Sequence, residues 1–263
     1  MHICKVHLGS LDYTAYMRLA VMGKGGSGKS VIAATLARLR ARDGRHVLAV
    51  DLDVNPGLAV SLGIPVSDDG LPEDAIEPAP PDIPYGYDIR SGLSPEEAVA
   101  RYTKQAPDEV RFLQIGNVSR VDHGVQRFVV AIRRILRGFR PPGWDVVADL
   151  EAGPTTAYEG YADFADRALI VVEPSWASAL AARRIASVLH ESGPPAAIIG
   201  NKVRTAEDAA AIQALGASLG LPVLGMIPFD GAVADADREG RAPLEASPEG
   251  PGMESLRVIA RAL

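Results

Sequence analysis

A glycine-rich segment at residues 23–30 constrains the fold of this chain more than any other feature. It reads Gly-Lys-Gly-Gly-Ser-Gly-Lys-Ser and fits the pattern G-x-x-x-x-G-K-[ST]. An apolar run at 17–22 leads into it and a helical pattern at 28–42 follows. Glycines let a loop wrap closely around phosphates with its N–H groups turned inward, and a following helix adds the positive end of its dipole. The segment therefore predicts a strand, a phosphate-binding loop and a helix, in that order.

The residue types within this loop indicate its ligand. We expect Lys29 to reach the β and γ phosphates of a nucleotide and the Ser30 hydroxyl to ligate Mg²⁺. The predicted ligands are therefore ATP and Mg²⁺. The predicted binding set in the loop is Gly23, Gly25, Gly26, Ser27, Gly28, Lys29 and Ser30.

Short apolar runs alternate with helical patterns along the rest of the chain. Most of the runs are continuously apolar, which is typical of parallel strands buried on both faces. The alternation predicts an α/β fold with a doubly wound, mostly parallel sheet. The predicted strands are 17–22, 46–51, 110–115, 144–150, 168–172, 196–200 and 222–227. The predicted helices are 28–42, 125–137, 176–191, 206–219 and 252–263.

Acidic residues stand at the ends of two predicted strands. Asp51 and Asp53 follow the run at 46–50, and alternation along a strand sends both side chains to the same side. Turn chemistry explains an Asp-x-Asp pair equally well. Asp149 ends the run that starts at Trp144, and an apolar strand ending in an acid is the Walker B pattern, in which the aspartate holds Mg²⁺ through water. Ligands bind at the carboxyl ends of parallel strands, so the sequence predicts a metal site there.

Bulk properties exclude several classes of protein. The net charge of −6 gives no overall sign of nucleic-acid binding, and a single cysteine, Cys4, rules out an intramolecular disulfide or a multi-thiolate metal site within one chain. No apolar run approaches the ~20 residues of a membrane span, and the first ten residues lack the apolar stretch of a secretory signal. We therefore expect a cytoplasmic protein without a transmembrane segment.

Residues 17–263 are predicted to form one P-loop domain. Residues 1–16 precede the first strand and are either a small appendage or the result of a start site placed too far upstream. Residues 65–88 carry six prolines and seven acidic residues, which predicts a surface excursion with little regular structure. That excursion is either a solvated connection or a partner-docking loop.

A second lysine, Lys24, makes the loop more specific. The string Lys-Gly-Gly-x-Gly-Lys-Ser resembles the deviant Walker A ATPases, which include the MinD/ParA group, the nitrogenase iron proteins and the ATPases that insert nickel into carbon monoxide dehydrogenase. The resemblance extends from Met17 to the C-terminus. The Asp-x-Glu-Ala-Gly string at 149–153 and the segments 169–175 and 241–244 are most similar to the nickel-insertion, CooC-like branch.

The resemblance implies a catalytic set of Lys24, Lys29 and Asp53. Lys24 would cross the interface of an ATP-dependent homodimer and touch the partner's nucleotide. Asp53 would orient the attacking water, while Asp51 would sit nearer the Mg²⁺ shell. The implied metal set is Ser30, Asp51 and Asp149.

The resemblance also implies residues around the base. Asn201 would recognise the adenine amino group, the stem of Lys202 would pack on the base, and Pro228 belongs to a loop that borders it. An isolated Asn-Lys pair is otherwise an ordinary loop pair, but here it follows the predicted strand at 196–200.

The biological role stays open between two classes. One is an accessory or maturation ATPase that acts on a protein client, although residues 116–124 lack the Cys-x-Cys pair of the nickel-insertion branch; Asp122 and His123 form either a helix cap or part of a metal site. The other is a positioning or partitioning ATPase that binds DNA or a membrane. A membrane-binding helix at 252–263 would be weakly basic, and a docked core helix explains it better. A DNA-binding face would use the cluster Arg127, Arg133, Arg134, Arg137 and Arg140.

Overall fold

The computed structural model describes residues 16–53, 57–79, 86–116 and 124–263 and confirms the predicted fold class. The described residues contain a sheet of eight strands in the order β10-β9-β8-β1-β7-β2-β6-β5, and all of its pairs are parallel except that of β5 with β6. A separate antiparallel ribbon pairs β3 with β4. The strands are β1 Arg18–Gly23, β2 His46–Leu52, β3 Ile76–Pro78, β4 Tyr87–Ile89, β5 Lys104–Gln105, β6 Arg111–Gln114, β7 Trp144–Leu150, β8 Arg167–Val172, β9 Ala196–Val203 and β10 Val223–Pro228.

Helices cover both faces of the sheet and create two apolar cores. One core packs side chains of α1, α2, α9 and α10 against the sheet, and the other packs α3, α4, α6 and α7 against the opposite face. The helices are α1 Lys29–Arg42, α2 Leu58–Leu62, α3 Pro95–Tyr102, α4 Gly124–Gly138, α5 Thr155–Tyr158, α6 Trp176–Ser192, α7 Ala206–Leu219, α8 Gly231–Arg238, α9 Pro243–Ala246 and α10 Pro251–Ala262. Burial on both faces explains why the sheet strands read as continuous apolar runs.

Local sequence determines where several helices begin. In α3, Ser94 accepts a hydrogen bond from the N–H of Glu97 and the Glu97 carboxylate accepts one from the N–H of Ser94, with proline in the first turn. Thr205 and Asp208 form the same reciprocal cap at the start of α7. Such caps satisfy N–H groups that the helix leaves without partners, and each is worth about 1 kcal/mol.

The segment 65–88 has more regular structure than its composition predicts. Its described part contains β3 and most of β4, and its side chains Leu71 and Ala75 are buried in a core. The buried Gln114 side chain of β6 donates hydrogen bonds to the carbonyl oxygens of Ser67 and Asp69. The proline-rich composition therefore gave no sign that the backbone of this segment is hydrogen-bonded to β6.

Some predictions fall on residues that the structure leaves out. Residues 1–15 of the predicted appendage at 1–16, with Cys4, and the pair Asp122 and His123 lie outside the described residues. Among the helices that the structure describes, none combines the length and the apolar character that a bilayer-spanning helix requires.

Candidate functional site

The glycine-rich loop connects the carboxyl end of β1 to the first turn of α1, as the sequence predicts. Gly28 has φ of +96°, and a Cβ there would lie 2.3 Å from Nδ2 of Asn201, so both the backbone conformation and the packing require glycine. Gly23 is equally restricted, because a Cβ there would lie 2.6 Å from the carbonyl oxygen of Val171. Lys29, the first residue of α1, is buried, and its positive charge acts on the carboxyl group of Asp149.

Two buried aspartates lie side by side next to this loop. Asp51 of β2 and Asp149 of β7 are register partners, and both are almost completely inaccessible to solvent. The Ser30 hydroxyl donates a hydrogen bond of 2.5 Å to Oδ2 of Asp149. Oδ1 of Asp149 has no hydrogen-bond partner among the described residues. An unpaired buried carboxylate oxygen is costly, and a cation placed there would remove the cost.

Burial leaves this acidic pair poorly compensated. Burial, together with the neighbouring charge of Asp149, raises the pKa of Asp51 to about 8, although backbone hydrogen bonds from Asp53 and Leu58 oppose the shift. Burial likewise raises the pKa of Asp149 to about 6, although the hydrogen bond from Ser30 and the charge of Lys29 oppose the shift. Oxygen ligands with excess negative charge are what Mg²⁺ prefers, so Ser30, Asp51 and Asp149 fit a Mg²⁺ site in geometry and charge.

Asp53 lies just beyond the end of β2 and is half-buried. Its backbone N–H donates a 3.0 Å hydrogen bond to Oδ1 of Asp51, which fixes the chain at the exit of the strand. The charge of Asp53 contributes to the raised pKa of Asp149. Partial burial raises the pKa of the Glu151 carboxyl group, and the charge of Asp53 acts in the same direction. Asp53 therefore stands at the rim of the acidic pair, on the side open to water.

A second set of polar residues lies near the C-terminal end of β9, which runs on to Val203, beyond the end at residue 200 that the sequence predicted. The buried Asn201 side chain donates a 2.7 Å hydrogen bond to the carbonyl oxygen of Ser27, and Nζ of Lys202 donates one of 2.5 Å to the carbonyl oxygen of Gly26. Lys202 adopts φ of +59°, which is uncommon for a residue with a side chain. The C-terminal end of β9 is therefore held directly onto the phosphate loop.

A cavity of about 300 Å³ opens between the phosphate loop and the C-terminal end of β9. Asn201 and Lys202 line it on one side, and Pro228, at the end of β10, lines it on another. Most of its remaining wall is apolar: Val31, Ile32, Ile227, Phe229, Val233, Met253 and Leu256. An apolar slot with a few polar groups beside a phosphate loop suits a nucleotide base. The guanidinium of Arg204 lies 3.6 Å from the centre of the Phe229 ring and braces the rim.

Lys24 is engaged with a residue that the sequence analysis gave no role. Its Nζ lies 3.1 Å from Oε1 of Glu173, the residue after β8, and also donates a 3.0 Å hydrogen bond to the carbonyl oxygen of Gly25. The same carboxylate reaches Lys202, with 3.4 Å between Nζ and Oε2. The sequence offered one signal, since Glu173 stands at the end of a buried strand.

The structure brings all the predicted site residues to one edge of the sheet, the carboxyl edge of the parallel strands. They fall into two groups there, around the acidic pair and around the base cavity. The first contains Lys29, Ser30, Asp51, Asp53 and Asp149, and the second contains Asn201, Lys202 and Pro228. Lys24 and the glycines lie between them.

Known proteins share this arrangement of sequence and fold. The chain is 32% identical over 240 residues to an uncharacterized ATP-binding protein of Methanocaldococcus jannaschii, which covers 86% of this chain and 90% of that one. It is 28% identical over 253 residues to the carbon monoxide dehydrogenase accessory protein CooC of Rhodospirillum rubrum, covering 88% and 91%. The septum site-determining protein MinD of Pyrococcus horikoshii, solved in complex with Mg-ADP, superposes with a TM-score of 0.71 at 19% identity over 94% of this chain and 96% of its own.

The family relationship rests on most of the chain. Residues 19–244, from the first strand to the start of α9, match the CobQ/CobB/MinD/ParA nucleotide binding domain. The match includes the phosphate loop, the acidic pair and the base cavity as far as α8. The chain belongs to the CobQ/CobB/MinD/ParA nucleotide-binding domain family and is a MinD/ParA-superfamily protein close to CooC.

Proposed function

We propose that this protein is an ATP-hydrolysing molecular switch of the deviant Walker A type that dimerises when it binds ATP and Mg²⁺. The observation that carries the proposal is the pairing of the phosphate loop with two buried, undercompensated aspartates. Ser30 and Asp149 are already in contact, and Asp51 lies directly beside Asp149. Such an arrangement has a physical use when a divalent cation and phosphates arrive together.

Each residue of this group has a role in holding the nucleotide. Lys29 contacts the β and γ phosphates, and the loop N–H groups surround them. Ser30, Asp51 and Asp149 hold Mg²⁺, which supplies positive charge to the phosphate oxygens. Asn201, Lys202 and Pro228 enclose the base in the cavity beside the loop.

Hydrolysis requires a positioned water and a further positive charge. Asp53, half-buried at the water-accessible rim, orients the attacking water. Lys24 adds its charge to the nucleotide of a second copy, so two copies complete each other's sites. A cation near phosphate is worth most where water is excluded, which gives the dimer a reason to form around ATP.

We propose that the switch serves a protein client as an accessory or maturation factor. Likeness to the CooC accessory protein over 88% of the chain supports this role. The client's identity is not specified by any residue of the site.

The alternative role, positioning through DNA or a membrane, receives less support from the surfaces it would need. Four arginines of the α4 cluster form ion pairs with acidic groups: Arg127 with Glu73, Arg134 with Asp88, and Arg133 and Arg137 with Asp163. Their charge is largely neutralised within the chain.

The apolar stripe of α10 is also engaged within the chain, because its side chains are buried. Met253, Leu256 and Ile259 are each about 1% exposed, because the helix packs against α1 and β10. Arg257 forms ion pairs with Glu249 and Glu254. This stripe belongs to a core and is not offered to a lipid surface.

The test of the proposal is ATP turnover by the purified protein. Native protein should release phosphate from ATP in a Mg²⁺-dependent manner. Asp53→Ala should bind ATP, accumulate as a dimer and release phosphate about a hundredfold more slowly, the lower end of the range for a lost positioned acid–base group. Asp68→Ala, which changes an exposed aspartate outside the site, is the matched control. Native protein that binds no ATP would contradict the proposal.

The same Asp53→Ala protein separates the two roles. ATP-dependent retention of a metalloenzyme on this locked form would support the accessory role. Salt-sensitive retention on DNA, or flotation with liposomes that depends on ATP, would instead support positioning.

A further inference from the structure

The loop after β8 places a carboxylate beside the phosphate loop and holds it there. The backbone N–H of Glu173 donates a 3.1 Å hydrogen bond to the Ser178 hydroxyl, and its carbonyl oxygen accepts one of 2.7 Å from the N–H of Ser175. Ser175 in turn caps α6 by accepting from the N–H of Ser178. The position of Glu173 is therefore tied to the start of a 17-residue helix.

This carboxylate contacts two lysines that come from different parts of the site. Lys24 of the phosphate loop lies 3.1 Å from one oxygen, and Lys202 of the base side lies 3.4 Å from the other. Each lysine also donates to a carbonyl oxygen of the loop, at Gly25 and Gly26 respectively. Both cations are thus held against their own subunit.

We propose that Glu173 is a positioning residue that keeps Lys24 on its own subunit until a partner's nucleotide competes for it. The inference rests on the proposed function, since it requires that Lys24 act across a dimer. Because one carboxylate holds both lysines, it also links Lys24 to the base side of the site.

The exposure of the three side chains fits a contact that can exchange. The side chain of Glu173 is 17% exposed, whereas those of Lys24 and Lys202 are 36% and 42% exposed. The carboxylate is therefore anchored while the ammonium groups can reach solvent. Burial opposes ionisation of Glu173, but hydrogen bonds and charge from the two lysines outweigh it and lower its pKa. Two cations share one negative charge here, so a triphosphate is the stronger partner for either.

Glu173→Gln is the test, with Glu73→Gln as the matched control. Glu73 forms a comparable 2.7 Å ion pair with Arg127 on another part of the surface. In nucleotide-free protein, an amine-reactive ester followed by mass spectrometry should modify Lys24 roughly 1.5- to 5-fold faster in Glu173→Gln, the range expected for loss of a partly exposed ion pair. In ATP–Mg²⁺, sedimentation should show dimers forming at a correspondingly lower protein concentration.

Two further variants separate positioning from a structural role. Glu173→Asp keeps the charge and should restore slow labelling of Lys24 at least in part. In a Lys24→Ala background, which should form no ATP-dependent dimer, Glu173→Gln should not restore dimerisation, because its effect passes through Lys24.

The outcomes distinguish this inference from the proposed function. If native protein dimerises with ATP–Mg²⁺ but Glu173→Gln labels and dimerises like native or dimerises less readily, the role of Glu173 is wrong and the switch stands. If native protein stays monomeric in saturating ATP–Mg²⁺, the proposed dimer is wrong, and the positioning role fails with it.

Discussion

The two halves of the site differ in how their charges are compensated. On the side of β1, β2 and β7, Asp51 and Asp149 are buried together with an unpaired oxygen on Asp149. On the side of β8 and β9, the lysines Lys24 and Lys202 already share the carboxylate of Glu173. In the first half the carboxylates outnumber the one lysine, Lys29, whereas in the second half the lysines are already paired with a carboxylate.

This difference indicates that the two halves respond to ligand in different ways. In the proposed site, Mg²⁺ at the acidic pair would supply positive charge, and the protein contacts there are the hydrogen bond from Ser30 to Asp149 and the two backbone hydrogen bonds that Asp51 accepts. On the lysine side, Lys24 and Lys202 would have to exchange existing hydrogen bonds to the carbonyl oxygens of Gly25 and Gly26 for contacts with a nucleotide. We therefore expect the acidic side to contribute most of the binding energy and the lysine side to undergo most of the conformational change.

The largest expected effect tests whether nucleotide binding depends on the acidic side. Saturating ATP–Mg²⁺ at ~100 times its Kd should stabilise native protein by ~2.7 kcal/mol and raise its melting temperature by several degrees. Lys29→Ala should abolish the rise, because Lys29 is buried beside Asp149 and faces the phosphates. Thermal unfolding with and without ATP–Mg²⁺ is the measurement. Lys104→Ala, at the edge strand β5, is the control and should keep the full rise.

Lys24→Ala should leave binding largely intact and remove what depends on the second subunit. The variant keeps Lys29 and the loop N–H groups, so its ATP-induced melting shift should stay close to native. Light scattering should show no ATP-dependent dimer, and phosphate release should fall by at least tenfold. A Lys24→Ala protein that dimerises and hydrolyses like native would leave only a generic P-loop ATPase.

The charge imbalance of the acidic side should appear as a pH dependence of stability. Asp51 and Asp149 have raised pKa values, so between pH 4 and 8 the folded state binds protons that the unfolded state has released. The free energy of unfolding of nucleotide-free protein should therefore fall as pH rises through this range. Asp149→Asn should reduce the pH dependence of the free energy of unfolding and stabilise the protein at pH 8 by about 1–2 kcal/mol. This amount corresponds to a pKa shift of roughly one unit or slightly more.

Denaturant titrations at pH 5.5 and pH 8 measure this effect. Asp68→Asn, an exposed aspartate, should behave like native protein at both pH values. Equal destabilisation of Asp149→Asn at both pH values would mean that Asp149 is well compensated, contrary to the comparison drawn above.

The smallest expected effect concerns the base. Asn201 lines the cavity and donates to the carbonyl oxygen of Ser27. Asn201→Ala should weaken ATP binding by roughly five- to tenfold, the equivalent of about one neutral hydrogen bond. The ratio of the Kd for GTP to the Kd for ATP should also decrease. Competition binding measures both quantities. Gln213→Ala, on the exposed face of α7, should change neither.

The sequence predicted the main sheet and helices well because burial on both faces leaves a strong pattern. The predicted strand at 144–150 and the predicted helix at 206–219 agree with β7 and α7. The ribbon of β3 and β4 was missed, because its short strands lie within a proline- and acid-rich segment that has no apolar run. The helix α3 was also missed, although its serine and glutamate cap was readable in the sequence.

The candidate site was predictable where residues are neighbours in sequence, as in the phosphate loop. Contacts between distant residues were not. Lys24 and Glu173 are 149 positions apart, and nothing in either local sequence states that their strands are adjacent. The same limit applies to the undercompensated acidic pair, because its pKa values depend on burial that only the assembled sheet creates.

The position of β7 has a consequence for how the chain folds. It lies between β1 and β2 and pairs with both, although it follows them in the chain by many intervening elements. The strands β1 and β2 therefore do not pair with each other, and the sheet between them is complete only after β7 has been synthesised. Closing such long loops costs chain entropy before any pairing rewards it, which slows folding. When only the N-terminal half has been synthesised, β1 lacks both of its neighbours, β7 and β8, and β2 lacks β7. Such unpaired strand edges are the kind of exposed surface to which chaperones bind.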